Sequence, residues 1–514
     1  MSFWKKNGLL FVVFLTGAAV LVVEVLAVRI LSPYYGNTIF TVSGVLSVIL
    51  AALSVGYYVG GRLADKRPSE KLFFGIILLS GLLVLLLQFF TVILLPALGH
   101  KLSMVYGPLV SSMAMFFVPS FLMGMLSPFV IKLQQLRLPE DGVGTISGRI
   151  FFWSTLGSIF GSLATGFIFI PNWGVNEILI YTGTVLVILG LFPLVKTGLG
   201  KKTTIKVSVI VFLVLLATTG ILASEQYGDN VVYVKDGVYQ KIFIYDTEDE
   251  DGRPVRVMQQ DRSPSSAMFL DSDELVFDYS KYYPLYQFFV PDMKEVLIVG
   301  GAAYSVPKAL LEDIEDITVD VVEIEPSLYQ LSKQYFRLPE DDSLNNYVED
   351  GRRFLANSDK QYDLIFGDAY YSRYSIPSHL TTKEFFQLAK SKLNPGGIFM
   401  GNFLGRFNDS APSILLSEIK TFSEVFPNSY YVATKKQDFE DYQNVIFIGY
   451  NSDQVVDLYA DSVKENENPI IAAVAERLVD IDKLDLSKHV LFTDDYAPVD
   501  YLTSKAIRNT KTDE

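Results

Sequence analysis

The stretch from Glu295 to Glu325, EVLIVGGAAYSVPKALLEDIEDITVDVVEIE, constrains the fold of this 514-residue chain more than any other. Val296–Val299 is a short apolar run that stops at Gly300-Gly301. A helical stretch follows, then a second apolar run, Ile317–Val322, closed by Glu323. Strand, glycine turn, helix, strand and acid form the first unit of a nucleotide-binding α/β sheet. The turn brings backbone and a helix N-terminus to where a ligand would sit. The acid that closes the second strand is placed to accept hydrogen bonds from ribose hydroxyls. The glycine pattern is nevertheless damaged, because Ala302, Ala303 and Tyr304 follow the two glycines.

From Glu295 onward apolar runs and amphipathic stretches alternate. They predict strands near 296–299, 318–323, 346–348, 363–367, 397–403, 429–433 and 444–450, and helices near 305–313, 326–335, 351–357, 382–393 and 411–424. That alternation implies a largely parallel sheet covered on both faces. Before it, 231–261 reads as β-hairpins and Leu275–Val290 as an aromatic-rich helix. Ligands of such sheets bind at the carboxyl ends of the strands. Four ends carry chemistry: Gly300 and Gly301, then Glu323 with Glu325, then Asp350-Gly351, then Asp368. Asp350 taken alone reads as a helix N-cap. Glu323 and Asp368 read as functional.

The first 223 residues are of another kind. Seven apolar stretches, 8–31, 38–61, 72–96, 104–131, 150–171, 177–195 and 205–223, approach or exceed the ~20 residues needed to span a bilayer. Basic residues gather at the N-terminus (Lys5, Lys6) and in every second loop: Arg62 to Lys71, Lys132 to Arg149, Lys196 to Lys206. By the positive-inside rule the N-terminus is cytoplasmic, and after seven spans the soluble part is extracytoplasmic. Gly56-x-x-x-Gly60 and Gly157-x-x-x-Gly161 predict close helix packing. Pro119 and Pro128 predict a kink in the fourth span. Glu24, an acid inside the first span, is either a functional group or a structural hydrogen-bond partner.

Charge separates the two parts as well. Residues 1–223 carry 15 basic and 6 acidic side chains, and the remainder carries 28 and 51. The acidic part lacks the basic footprint that nucleic acid requires. With no cysteine, disulfides and thiolate metal sites are excluded, and three scattered histidines do not make a metal site.

Several of these residues carry a family resemblance, which extends over roughly 231–450. Asp236-Gly-Val-Tyr239-Gln240, Val322-Glu323-Ile324-Glu325, Glu349-Asp350-Gly351-Arg352 and Tyr362-Asp-Leu-Ile-Phe-Gly-Asp368 resemble motifs of the spermidine synthases, or polyamine aminopropyltransferases. The resemblance continues in Ile376-Pro377 and Leu380-Thr-x-Lys-Glu-Phe385. Glu24 to Gly36, Gly56 to Asp65 and the ending Thr493-Asp-Asp-Tyr-Ala-Pro-Val-Asp500 resemble the membrane-fused members.

The resemblance implies a class I methyltransferase-like Rossmann domain behind a small β-hairpin domain. The expected division is 1–223 transmembrane, 224–290 hairpin region, 291–505 Rossmann-like, and 506–514 a disordered tail. Asp368 would be the base that deprotonates an amine. Gln240, Gly300, Gly301, Glu323, Asp350 and Gly351 would hold a decarboxylated S-adenosylmethionine-type co-substrate. Tyr239, Tyr304 and Tyr371 would face the substrate, a small amine or a membrane-associated molecule. The expected partner is the lipid bilayer, with homo-oligomers allowed and nucleic acid excluded.

Four departures from the family pattern bear on function. Gly237 stands where serine is usual. Ala303 replaces the acid that binds the amine, and Tyr304 replaces a glycine. Tyr371 replaces the second acid after Asp368. Side chains at 302–304 are expected to obstruct the donor, with Tyr304 either filling the vacant site or stacking on a ligand. Two other functions therefore stand beside a transferase. One is an extracytoplasmic repurposed domain acting on a lipid or surface polymer without an adenosyl donor. The other is a non-catalytic scaffold or transport protein.

Overall fold

The computed structural model describes residues 3–99, 101–196, 206, 209–214, 216–218, 228–369, 376–435, 441–452 and 455–511. The chain divides into two compact units, Met1–Gly228 and Asp229–Glu514.

In the first unit, six helical segments among the described residues are long and apolar enough to cross a membrane. They are Gly8–Tyr35, Ile39–Lys66, Glu70–Gly99, Gly107–Arg137, Val143–Asn172 and Val175–Lys196. Of the seventh candidate, 205–223, the described residues are 206, 209–214 and 216–218, and a shorter apolar helix, Val209–Thr218, runs over part of it. Without a hydrophobic drive between helices in lipid, close van der Waals contact holds such a bundle. The small residues supply it. Gly157 and Gly161 lie against the backbone of Phe14 and Ala18, and Gly56 and Gly60 against Phe121, Gly124 and Met125. Gly81, Gly183 and Gly190 serve the third and sixth spans in the same way. The fourth span breaks at Met125, between the two prolines that predicted a kink. Glu24 is partly buried in the first span.

The second unit begins with an antiparallel meander, β1 (Val231–Asp236), β2 (Lys241–Glu248), β3 (Pro254–Gln260) and β4 (Ser263–Phe269). The strand β4 is absent from the hairpin pattern because its first half, Ser-Pro-Ser-Ser, has no apolar alternation. A 3-10 helix, Asp278–Phe288, follows and buries Tyr282, Tyr283 and Leu285.

The main sheet contains β5 (Glu295–Val299), β6 (Thr318–Glu323), β7 (Leu344–Val348), β8 (Tyr362–Gly367), β9 (Leu393–Gly405), β10 (Ser429–Ala433) and β11 (Gln443–Tyr450). Their order is β10-β11-β9-β8-β5-β6-β7. The strand β5 pairs in parallel with both β6 and β8, so the strand order reverses at its carboxyl end. Only β11 runs against the others. Both faces are covered, which is why Val296–Val299 of β5, Leu364–Phe366 of β8 and Val445–Ile448 of β11 are unbroken apolar runs. Val296 and Ile298 join one core cluster, Leu297 and Val299 the other.

The end of the chain differs from the expected disordered tail. Val499–Lys511 is a helix, and Val499, Leu502 and Ala506 bury one stripe of it with Ile376, Ile414 and Phe492. Spacings of three and four residues put those three on one face, with polar residues between them masking the pattern.

Candidate active site

A cavity of about 390 Å³ opens along the carboxyl edge of the main sheet, across the reversal point between β5 and β8. That volume suits a small ligand. Gln240, Gly300, Glu323, Asp350, Gly351 and Asp368 all line it. Gly301 lies just beneath, in the turn that the Glu323 carboxylate grips.

Glu323 is 8% exposed. One carboxylate oxygen accepts the Gly301 N–H at 2.8 Å and the Ala302 N–H at 3.2 Å, and the other accepts the Glu325 N–H at 2.9 Å. Burial raises its pKa, and those three N–H groups oppose the rise. A carboxylate has about four lone-pair positions, so capacity remains for a hydroxyl from the cavity. Gly300 has φ +97°, and an added Cβ would meet the Asp368 backbone. Only glycine suits that position.

The altered turn does not obstruct the cavity. Ala302 and Tyr304 take up left-handed φ values of 44° and 59°. Left-handed backbone costs a residue with a side chain roughly 1–2 kcal/mol. The Tyr304 side chain is turned out of the cavity into the core, where it is 0% exposed. Its hydroxyl donates to Asn346 Oδ1 on β7, and its ring packs on Tyr329 at 5.5 Å. Ala303 is buried as well, among Ile242, Met258 and Leu331, and so joins the small sheet to the helix Leu328–Tyr335. Of the three replaced positions only Ala302 lines the cavity. The expectation of obstruction, and of Tyr304 as a substrate contact, is corrected on this ground.

Asp350 is the N-cap of the helix Gly351–Asn357, accepting the Arg353 N–H at 2.9 Å. Its second oxygen lies 2.8 Å from His379 Nε2, and that contact holds its pKa below the ordinary carboxylate value. Gly351 leaves room for Val299 at the end of β5. Asp494, in the Thr493–Asp500 ending, braces this corner. It pairs with Arg352 at 2.5 Å and accepts from Thr382 at 2.8 Å.

Asp368 closes β8 as the centre of a polar chain. Tyr279 donates to one oxygen at 2.8 Å and Asn402 Nδ2 to the other at 2.9 Å. Asn402 Oδ1 in turn accepts from Asn444 at 2.7 Å. Burial pushes the Asp368 carboxyl up to about 6, although both hydrogen bonds pull it down. A carboxylate poised there serves as a base near neutral pH.

Gln240 is buried and accepts from Gln260 at 2.7 Å. Tyr239 is 43% exposed and does not line the cavity, which corrects its assignment to substrate. Its backbone N–H is what matters locally, donating to Glu325 at 2.8 Å. That carboxylate lies where a Cβ on Gly237 would be. The Glu325 carboxylate thus fills the space that a side chain at 237 would need. Tyr371 lies outside the described residues. Tyr279, His379, Asn402 and Asn444 were not singled out from the sequence. The available signals were a polar residue inside the apolar strand β9 and one of only three histidines. Among the described residues no cluster of metal-ligating side chains occurs.

An α/β sheet with a reversal point, a small antiparallel sheet before it and acids on successive strand ends define a class I methyltransferase-like nucleoside fold. A profile of the spermine/spermidine synthase domain matches residues 283–435. The polyamine aminopropyltransferase of Vibrio vulnificus is 26% identical over 227 residues, 43% of this chain and 73% of that protein. Polyamine aminopropyltransferase 2 of Streptomyces coelicolor is 26% identical over 413 residues, 75% of this chain and 71% of that protein. The second match is longer than residues 229–514, so it includes part of the membrane unit. A solved spermidine synthase in complex with the transition-state analogue AdoDATO superposes with a TM-score of 0.39 at 20% identity, covering 48% of this chain and 85% of that one. Residues 283–435 thus match a spermine/spermidine synthase domain, the chain is similar to polyamine aminopropyltransferases, and its N-terminal part carries six helices long and apolar enough to cross a membrane among the described residues.

Proposed function

We propose that this protein is a membrane-anchored aminopropyltransferase that uses a decarboxylated S-adenosylmethionine-type donor. The observation that carries the reading is one open cavity with Glu323 on one side of the reversal point and Asp368, raised to about 6, on the other. Glu323 would take the ribose hydroxyls. Asp350 and Gly351 would border the base, and Gln240 would close the cavity from the small sheet. An amine must be neutral to attack. Asp368 would accept its proton while the amine nitrogen bonds to the propyl carbon and the carbon–sulfur bond breaks. The electron pair goes to sulfur, and the sulfonium leaves as the neutral thioether methylthioadenosine. Tyr279 and Asn402 would hold the carboxylate in line. Incubating the purified full chain with donor and a mixture of amines should release methylthioadenosine. A folded chain that binds the nucleoside but releases none would exclude this activity.

A second reading follows from the loop charges, which put the soluble unit outside the cytoplasm after seven spans. In that case the domain would act on a lipid or surface polymer without the cytosolic donor. A phosphatase reporter active only outside the cytoplasm, fused after Thr219, is expected to be active. An inactive fusion, with an active cytoplasmic reporter at the same point, would remove this reading.

A further inference from the structure

We propose that Asn444 is a positioning residue for the transfer: by fixing which way the Asn402 amide faces, it favours the ionised Asp368 that takes the proton of the amine. The inference rests on the transferase reading above and extends it to a residue that does not touch Asp368.

Three side chains on neighbouring strands carry it. Asp368 closes β8, Asn402 lies on β9 and Asn444 on β11, in the order β11-β9-β8. All three line the cavity. An ionised carboxylate only accepts hydrogen bonds, whereas a side-chain amide has a donor end and an acceptor end. The 2.9 Å contact between Asn402 and Asp368 therefore uses the Asn402 N–H₂. Asn402 Oδ1 then faces β11, where Asn444 Nδ2 donates to it at 2.7 Å. Asn444 is itself anchored, because its backbone carbonyl accepts from the Thr434 N–H at 3.1 Å and from Thr434 Oγ1 at 3.0 Å.

This chain treats the two protonation states of Asp368 unequally. The Asn402 N–H₂ is the right end for a carboxylate. A protonated carboxyl would gain from a rotated Asn402, whose Oδ1 would accept the new O–H. Rotation would set the Asn402 N–H₂ against the Asn444 N–H₂, donor against donor, and so it is opposed. Asn444 thereby withholds a partner from the protonated form. Burial raises the Asp368 carboxyl to about 6, and the hydrogen bonds from Asn402 and Tyr279 hold it from rising further. The other titratable groups around the cavity include Asp278, Glu323, Asp350, His379 and Lys435, and none of them changes in the test below.

The test measures methylthioadenosine release against pH for the purified full chain, with decarboxylated S-adenosylmethionine and a mixture of 1,4-diaminobutane and spermidine. Ionisation of the amines is common to every profile, so the ratio of variant to parent rate reads the enzyme group. Asn444→Leu keeps the size and removes the donor. Its rate should be about fivefold below the parent near pH 6 and should approach the parent as pH rises, as a midpoint raised by about one unit requires. Asn444→Asp keeps the shape but offers acceptors, which turns the Asn402 N–H₂ towards β11 and should raise the midpoint further. In an Asn402→Ala background, Asn444→Leu should leave the ratio at one throughout. A ratio independent of pH in either single variant with parental melting, or a full further shift in the Asn402→Ala background, would overturn the proposal and leave the transferase reading standing. A folded parent that releases no methylthioadenosine at any pH would remove the reading and the proposal together.

Discussion

On the β5–β7 side of the cavity the residues of the glycine turn have changed, yet Ala302 and Tyr304 still take the positive φ values that glycine adopts freely. The bulk added at 303 and 304 is led away into the core, and only the Ala302 methyl borders the cavity. On the β9–β11 side the lining includes the amides of Asn402 and Asn444, hydrogen-bonded to each other, with Lys435 nearby. The comparison teaches that a departure read from sequence matters only where its side chain reaches the ligand. Tyr304 is the larger change in sequence and the smaller one for the cavity.

The strongest way to test this division is at its hinge. Asp368→Asn keeps the shape and removes the base, so transfer should fall by about 10²–10⁴-fold. Thermal melting and nucleoside affinity should be nearly unchanged; full activity in an equally abundant variant would remove the general-base role.

Tyr304→Ala sharpens the other side. Emptying a fully buried aromatic site should cost about 3–5 kcal/mol by denaturant titration. Tyr304→Phe leaves the Asn346 acceptor without its hydroxyl and should cost about 1–3 kcal/mol. Nucleoside affinity in folded Tyr304→Phe should match the parent; a marked loss would place the ring in the site after all.

The pH dependence reports the hinge group directly. With a folded pKa near 6, Asp368 is a base only above that value, so the transfer rate should rise with pH and level off above about 6. The stability effect has the opposite sign. The folded chain binds this proton more tightly than the unfolded chain, so the group's contribution is full below the ordinary carboxylate pKa and declines as pH rises towards 6. A rate profile flat from pH 5 to 7, a range spanning about one unit either side of that value, would contradict the assignment.

The smallest effect concerns the coupled pair beneath the small sheet. Gly237→Ser should destabilise by about 1–3 kcal/mol, because its Cβ meets the Glu325 carboxylate. Glu325→Asp withdraws that carboxylate by one methylene, so the double variant should be more stable than the two separate losses imply. Simple additivity would show that the two positions are independent.

Much of this fold was legible because β5, β6 and β8 are short, mainly apolar runs ended by glycine or an acid. The strand ends also exposed Glu323 and Asp368. Three things were not legible. The sign of φ at Tyr304, and hence the destination of its ring, depends on Asn346 and Tyr329, which are distant in sequence. Tyr279, Asn402 and Asn444 act on Asp368 only because the 3-10 helix, β9 and β11 bring them there. The terminal helix was hidden because its apolar stripe is narrow and its other faces are polar.

The central claim is that the altered turn still leaves a nucleoside site. Calorimetric titration of the purified full chain with methylthioadenosine tests it most directly. The account predicts micromolar binding that weakens at least about tenfold in Glu323→Gln, where an amide N–H would oppose the N–H groups of Gly301 and Ala302. No binding by a folded chain, or binding that Glu323→Gln leaves unchanged, would contradict it.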